Sequence, residues 1–196
     1  MRSYLSVSLL GALSDEIRTF ITGALHEMGA TVGSDTADAV IVTVGLDAPA
    51  GPLVELTSDG WSDAVDRPLN ELLAAMQAAR LQLLGRGGAI VVIVPTIGVP
   101  GAKHLVPLTT VVEGARSMAK SAARQWATDG IAVNMLALPL PLLVPDLERH
   151  TTHIPLASGP VPSPADVAPM LEAFLRSTTA ITGATVIADG GSVMVP

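Results

Sequence analysis

The chain contains no cysteine. That excludes disulfides, a thiol nucleophile and cysteine-ligated metal, and it makes the cytoplasm the expected compartment. It has only two lysines, Lys103 and Lys120, and a net charge of -7. With no basic surface, nucleic acid and anionic membranes are not expected partners. Long apolar runs are also missing. The best two, "AIVVIVPTIGVPG" and "IAVNMLALPLPLLVP", are broken by proline and fall short of the roughly 20 residues that a membrane span needs. The opening "MRSYLSVSLLGALSDEI" does not read as a signal peptide, because its short apolar part runs directly into Asp15 and Glu16.

Apolar residues themselves are plentiful, at 49% of 196 residues, and the mean hydropathy is +0.51. The length fits a single domain, residues 1–196, with a full core. Continuous Val/Ile/Leu runs fit a parallel sheet covered on both faces, with the remaining apolar surface in subunit contacts.

Strands are expected at 4–10, 37–45, 88–95, 131–138 and 182–191, the last including a turn. Helices are expected at 14–28, 61–85, 107–128 and 163–177. The first helix places Ile17, Phe20, Ile21, Ala24, Leu25 and Met28 on one face. Ser14 caps it, Asp15 and Glu16 suit its dipole, and Gly29 ends it. The last helix has Ser163 as cap, Pro164 at its first position and Asp166 in its first turn. Pro68 marks a kink or restart in the 61–85 helix. Alternation of strand and helix implies right-handed crossovers and a doubly wound α/β fold.

From about residue 60 onward the chain resembles a short-chain dehydrogenase/reductase. The resemblance rests on "AMQAA" (75–79), "MAKSAARQWATDGIAVN" (118–134) and "IPLASGPVPSPADVAPMLEAFLRSTTAITGATVIADGG" (154–191). It implies a Rossmann-like sheet. It also implies a tyrosine and a lysine four residues apart, in which the lysine favours the phenolate. Those positions hold Leu108 and Val112. The family serine falls at Pro95, beside Thr96, the helix asparagine at Pro68, and the Pro-Gly after the sixth family strand at Leu138 and Pro139. The three cofactor-loop glycines fall at Ala12, Glu16 and Arg18. Between the first helix and the next strand stand about eight residues, "ATVGSDTA". The family spends roughly 50 there, enough for two strands and two helices. The expectation is therefore a sheet shortened to about five strands by loss of the second and third family strands, with no cofactor held.

Other constellations are weak. Thr96, His104 and Thr109 lie around the former active site and offer a repurposed pocket or a small-molecule binding module. His150 and His153 are three apart and lack a third ligand, so no metal is expected. Glu113 and Arg116 read as a surface or interface ion pair, Asp189-Gly190-Gly191 as a turn, and Met76, Met118 and Met135 as packing residues. The two long helices carry apolar residues on two sides. On that ground the expected role is a catalytically silent structural or regulatory subunit. It would dock through Met76, Leu84, Val112, Arg116 and Trp126 onto an active homologue or onto a second copy.

Overall fold

The computed structural model describes residues 5–33, 36–46, 50–144, 161–176 and 180–193. Its strands are β1 (Leu5–Gly11), β2 (Ala30–Val32), β3 (Ala39–Thr43), β4 (Gly88–Pro95), β5 (Ile131–Leu138) and β6 (Thr185–Ile187). They form one parallel sheet in the order β2-β1-β3-β4-β5-β6. Helices α1 (Asp15–Glu27) and α6 (Pro164–Leu175) cover one face, and α3 (Arg67–Leu83) and α4 (Val106–Trp126) cover the other. Two short helices, α2 (Ser58–Trp61) and α5 (Leu140–Leu143), complete the set.

Side chains alternate along each strand, so successive residues feed opposite layers. Val40, Val42, Ile90, Val92, Val133 and Met135 pack under α3 and α4. Ala39, Ile41, Ala89, Val91, Ile93 and Leu136 pack under α1 and α6. This is the doubly wound Rossmann-like class expected from the apolar runs.

The strand count is six where about five were expected. Ala30–Val32 pairs in parallel with Leu5–Val7, so the second strand survives as a short edge. Gly29, at φ +69, turns the chain out of α1 and makes that pairing possible. Among the described residues no further strand stands between β2 and β3; just before β3, Asp38 Oδ2 accepts the Ser6 N–H at 3.0 Å.

Pro68 marks a register change. It lacks an N–H for the i→i−4 bond. Just upstream, Ser62–Asp66 form a π turn, and the Arg67 N–H donates to the Ser62 carbonyl.

Two of the three segments that carry the family resemblance, 118–134 and 154–191, are joined around Asn134, which is buried on β5. Its Nδ2 donates to the Ile181 carbonyl at 2.7 Å, and its Oδ1 accepts the Ala184 N–H at 3.1 Å. The Val133 N–H donates to the Thr182 hydroxyl at 3.1 Å. The Asp189-Gly190-Gly191 turn is held by Asp189, whose carboxylate accepts the N–H groups of Gly191, Ser192 and Val193.

Two residues expected at a subunit interface lie inside the chain. Met76 and Val112 are each 2% exposed. Met76 shares a helical face with Leu72, Ala79 and Leu83, and Val112 shares one with Leu108, Val111, Ala115 and Ala119. The outer side of α3 carries Leu73 and Leu81, and Leu84 follows at its end; Leu81 is 67% exposed. Arg80 sits 6.0 Å over the Trp126 ring and pairs with Asp129 at 2.7 Å. No helix among the described residues is long and apolar enough to cross a membrane.

Asn134→Ala removes both partners of a buried amide pair and is expected to destabilise the fold by about 1–3 kcal/mol, read from urea unfolding. The α6 capping box predicts a pH effect. Ser163 holds the Asp166 carboxyl below its ordinary value through its hydroxyl and its N–H. A depressed carboxyl stabilises the fold above its unfolded value, and that contribution is lost as pH falls through the lower folded value. Asp166→Asn is expected to flatten the acid side of the stability–pH curve, measured by thermal melts at successive pH values.

Candidate functional site at the carboxyl ends of the strands

In an open parallel sheet the ligand crevice lies beyond the carboxyl ends of the strands, where the strand order reverses. Here two connections build that edge. One is the β1–α1 turn. The other is the β4–α4 connection, which runs from Thr96 to Leu105.

The β1–α1 turn is tightly packed. Gly11 adopts φ +88, and a Cβ there would overlap the Thr43 carbonyl oxygen, so only glycine fits. The Thr43 hydroxyl donates to the carbonyls of Ala12 at 2.6 Å and Leu10 at 3.3 Å. Ser14 caps α1, accepting the Ile17 N–H at 3.3 Å. The Glu16 carboxyl is held below its ordinary value by its own backbone N–H and by the Ser14 hydroxyl. The Ile17 amide, one of those that would meet a phosphate, is thus engaged by the chain itself. A cavity of about 640 Å³ opens beside them, lined by Asp15, Glu16, Thr19, Phe20, Pro141, Leu142 and Pro164. Among the described residues its lining has two carboxylates and no lysine or arginine. A nicotinamide dinucleotide, which the fold implies, does not fit this donor set.

The β4–α4 connection leads into α4, which carries Leu108 and Val112, the positions at which the resemblance implies the family's tyrosine and lysine. Leu108 and Val112 are buried in the core under α4. Val112 fits against Gly98; a Cβ at residue 98 would stand 2.7 Å from Val112 Cβ and overlap its Cγ1. Thr96 is 4% exposed, and its hydroxyl makes no hydrogen bond among the described residues. His104 lies on the same connection at φ +65, with its carbonyl accepting the Gly51 N–H at 2.9 Å. Thr109 is turned away, since its hydroxyl donates to the carbonyls of Leu105 at 3.0 Å and Val106 at 3.2 Å. Thr96 and His104 thus share one connection, and Thr109 serves its own helix.

The structure adds two features, an unpartnered oxygen on Glu113 and a second cavity. Glu113 pairs with Arg116 through Oε2, while its Oε1 is buried without a partner and lies 3.5 Å from where a Gly98 Cβ would stand. A cavity of about 200 Å³ lies between the loop Ala50–Leu53, Glu55, Leu56 and Pro107. Helical spacing reveals the Glu113–Arg116 pair; the neighbour on Gly98 comes from a different element. No group of three or more metal-ligating side chains occurs among the described residues. His150 and His153 lie outside them.

A family model described as enoyl-(acyl carrier protein) reductase matches residues 19–193. The 3-oxoacyl-(acyl-carrier-protein) reductase of Staphylococcus aureus is 28% identical over 193 residues, covering 92% of this chain and 74% of that protein. The cis-4-hydroxycyclohexanecarboxylate dehydrogenase of Sinomonas cyclohexanicum is 28% identical over 185 residues, covering 90% and 72%. Among solved structures, carveol dehydrogenase from Mycobacterium avium, in complex with NAD, aligns with TM-score 0.73 at 16% identity, covering 97% and 98% of the two chains. A short-chain oxidoreductase from Pseudomonas aeruginosa with an atypical catalytic center aligns with TM-score 0.70 at 16% identity, covering 96% of each.

The sequence relatives carry the names of active reductases and dehydrogenases. They overturn the expectation of a catalytically silent structural or regulatory subunit, and equally that of a pocket diverted to other chemistry. That expectation was drawn from Leu108 and Val112, two side chains that cannot titrate. The match to the 3-oxoacyl-(acyl-carrier-protein) reductase extends over 92% of the chain.

Gly98→Ala is expected to destabilise the fold by roughly 1–3 kcal/mol through overlap with Val112. The double variant Gly98→Ala/Val112→Ala should lose less than the sum of the two single variants, since shrinking Val112 makes room for the added methyl. Chemical unfolding of the four proteins measures this coupling.

Proposed function

The chain belongs to the short-chain dehydrogenase/reductase family, and from that premise we propose that it is an oxidoreductase acting on a small compound with a carbonyl or a secondary hydroxyl group. The observation that carries this reading is the match of nearly the whole chain to reductases and dehydrogenases of such compounds, 92% of its length in the first case.

The geometry supports a departure in detail. Reduction of a carbonyl requires a hydride at carbon and a proton at oxygen. Leu108 and Val112 are hydrocarbons and supply neither the proton nor a charge to promote its transfer. The Thr96 hydroxyl, unpaired at the end of central strand β4, is the group placed to hold a substrate oxygen. Lys103 and His104 are the titratable side chains of the same connection and the source of the proton.

The test is a turnover assay with 3-oxoacyl thioesters and with cyclohexanone- and cyclohexanol-type compounds. The hydride carriers are NADH and NADPH with their oxidised forms, and the uncharged 1-benzyl-1,4-dihydronicotinamide. Turnover with at least one pair is expected. Thr96→Ala should lower kcat/KM roughly ten- to a hundredfold through loss of one hydrogen bond to the reacting oxygen. No turnover with any pair, together with no substrate-induced rise in Tm, overturns the proposal.

A further inference from the structure

The amino end of α1 is where this kind of fold receives a diphosphate, because unpaired N–H groups and the helix dipole point there. Four observations converge on that end. The first turn of α1 begins Asp15-Glu16, and both carboxylates line the adjoining cavity. Ser14 already accepts the Ile17 N–H. The cavity's other walls are Thr19, Phe20, Pro141, Leu142 and Pro164, which bring no positive charge. The Gly11 turn is pressed against the Thr43 carbonyl, leaving no room for the backbone to open.

The nucleotide-binding half beyond this turn is short as well. A dinucleotide fold uses two βαβαβ halves, one for each nucleotide. Here β2 is three residues long, and β3 begins at Ala39 after a return that is short in sequence. Gly33 donates its N–H to the Val7 carbonyl at 2.9 Å, and Asp38 donates its own to the Ser6 carbonyl at 2.8 Å. Backbone groups on both sides of this short return are thus tied to β1. Among the described residues no strand extends the sheet beyond β2 for an adenosine to lie against.

We infer that this chain does not hold a nicotinamide dinucleotide at the amino end of α1, because its own acidic side chains occupy the place that a diphosphate takes there. The built-in carboxylates serve the dipole in place of a ligand anion, and they repel one. The hydride carrier of the proposed reaction is then one that does not depend on a diphosphate contact. The inference deepens the oxidoreductase reading and rests on it for its bearing on turnover, but it concerns binding and is measured without turnover.

The experiment compares wild type, Glu16→Gln and Asp15→Asn/Glu16→Gln. Asp15 and Glu16 are exposed, so the fold should be retained, and circular dichroism verifies it. Each protein is titrated calorimetrically with NADH, NADPH and inorganic pyrophosphate, and Tm is followed in parallel. Wild type should show no micromolar binding of either dinucleotide and no rise in Tm. The double variant should bind pyrophosphate about tenfold or more tightly than wild type, with the single variant between. Micromolar binding of a dinucleotide by wild type overturns the inference. So does a folded double variant with no gain for pyrophosphate.

The two proposals fail separately. Turnover with tightly bound NADH or NADPH sinks this inference and leaves the oxidoreductase reading standing. Absence of dinucleotide binding together with absence of turnover from the uncharged carrier does the reverse.

Discussion

Burial of the central strands on both faces governs the rest of the molecule. β4 and β5 pair over eight residues, from Gly88 with Ile131 to Pro95 with Leu138, and every residue of β5 is buried. Strands with no solvent face need a helix layer on each side. The chain meets that need with alternating crossovers, α1 and α6 against one face and α3 and α4 against the other. Parallel pairing also places all carboxyl ends on one edge. The β1–α1 turn and the β4–α4 connection meet there because the sheet is parallel.

At that edge, packing has been favoured at positions that carry chemistry in the family. Leu108 and Val112 extend the core under α4, and Gly98 lets β4's exit approach the helix closely. A lysine at residue 112 would place a charge within an apolar layer and beside Gly98, where there is no room for it to reach water. The same rearrangement leaves Thr96 with a free hydroxyl and Glu113 with one unpartnered oxygen. Polar capacity therefore remains at the site, on atoms other than the family's tyrosine and lysine.

The opposite side of the edge departs through charge. Anions and helix amino ends attract each other, and in α1 the attraction is satisfied within the chain by Asp15, Glu16 and Ser14. The short β2 edge and the cavity lined by Asp15 and Glu16 are the two features on which the inference about the dinucleotide rests. Relationship to reductases and dehydrogenases is the ground of the proposed chemistry, and these local features bear on how the chain would carry it out.

Much of the fold was legible from short-range signals. Ser14 and Ser163 mark helix starts, Gly29 marks an end, and the apolar runs at 88–95 and 131–138 mark buried strands. Leu108 and Val112, at the positions where the resemblance implies a tyrosine and a lysine, are legible as hydrocarbons from the sequence alone. Other features depended on what lies far away in sequence. β2 carries only one buried residue in three, too little apolar pattern to read as a strand, and exists because its backbone pairs with β1. Met76 and Val112 sit on helices that are apolar on two sides, and helical spacing does not say which side meets the sheet. Thr109 was read as a site residue because its type suits chemistry, yet its hydroxyl bonds back to its own helix. Element type, caps and missing reagents follow from neighbours within a turn or two, so the sequence by itself determined them. Strand partners, helix facing, the Gly98–Val112 contact and the acidic cavity arise from groups brought together across the sheet. Only the tertiary structure decided those, because non-local hydrogen bonds and packing leave no local periodicity to read.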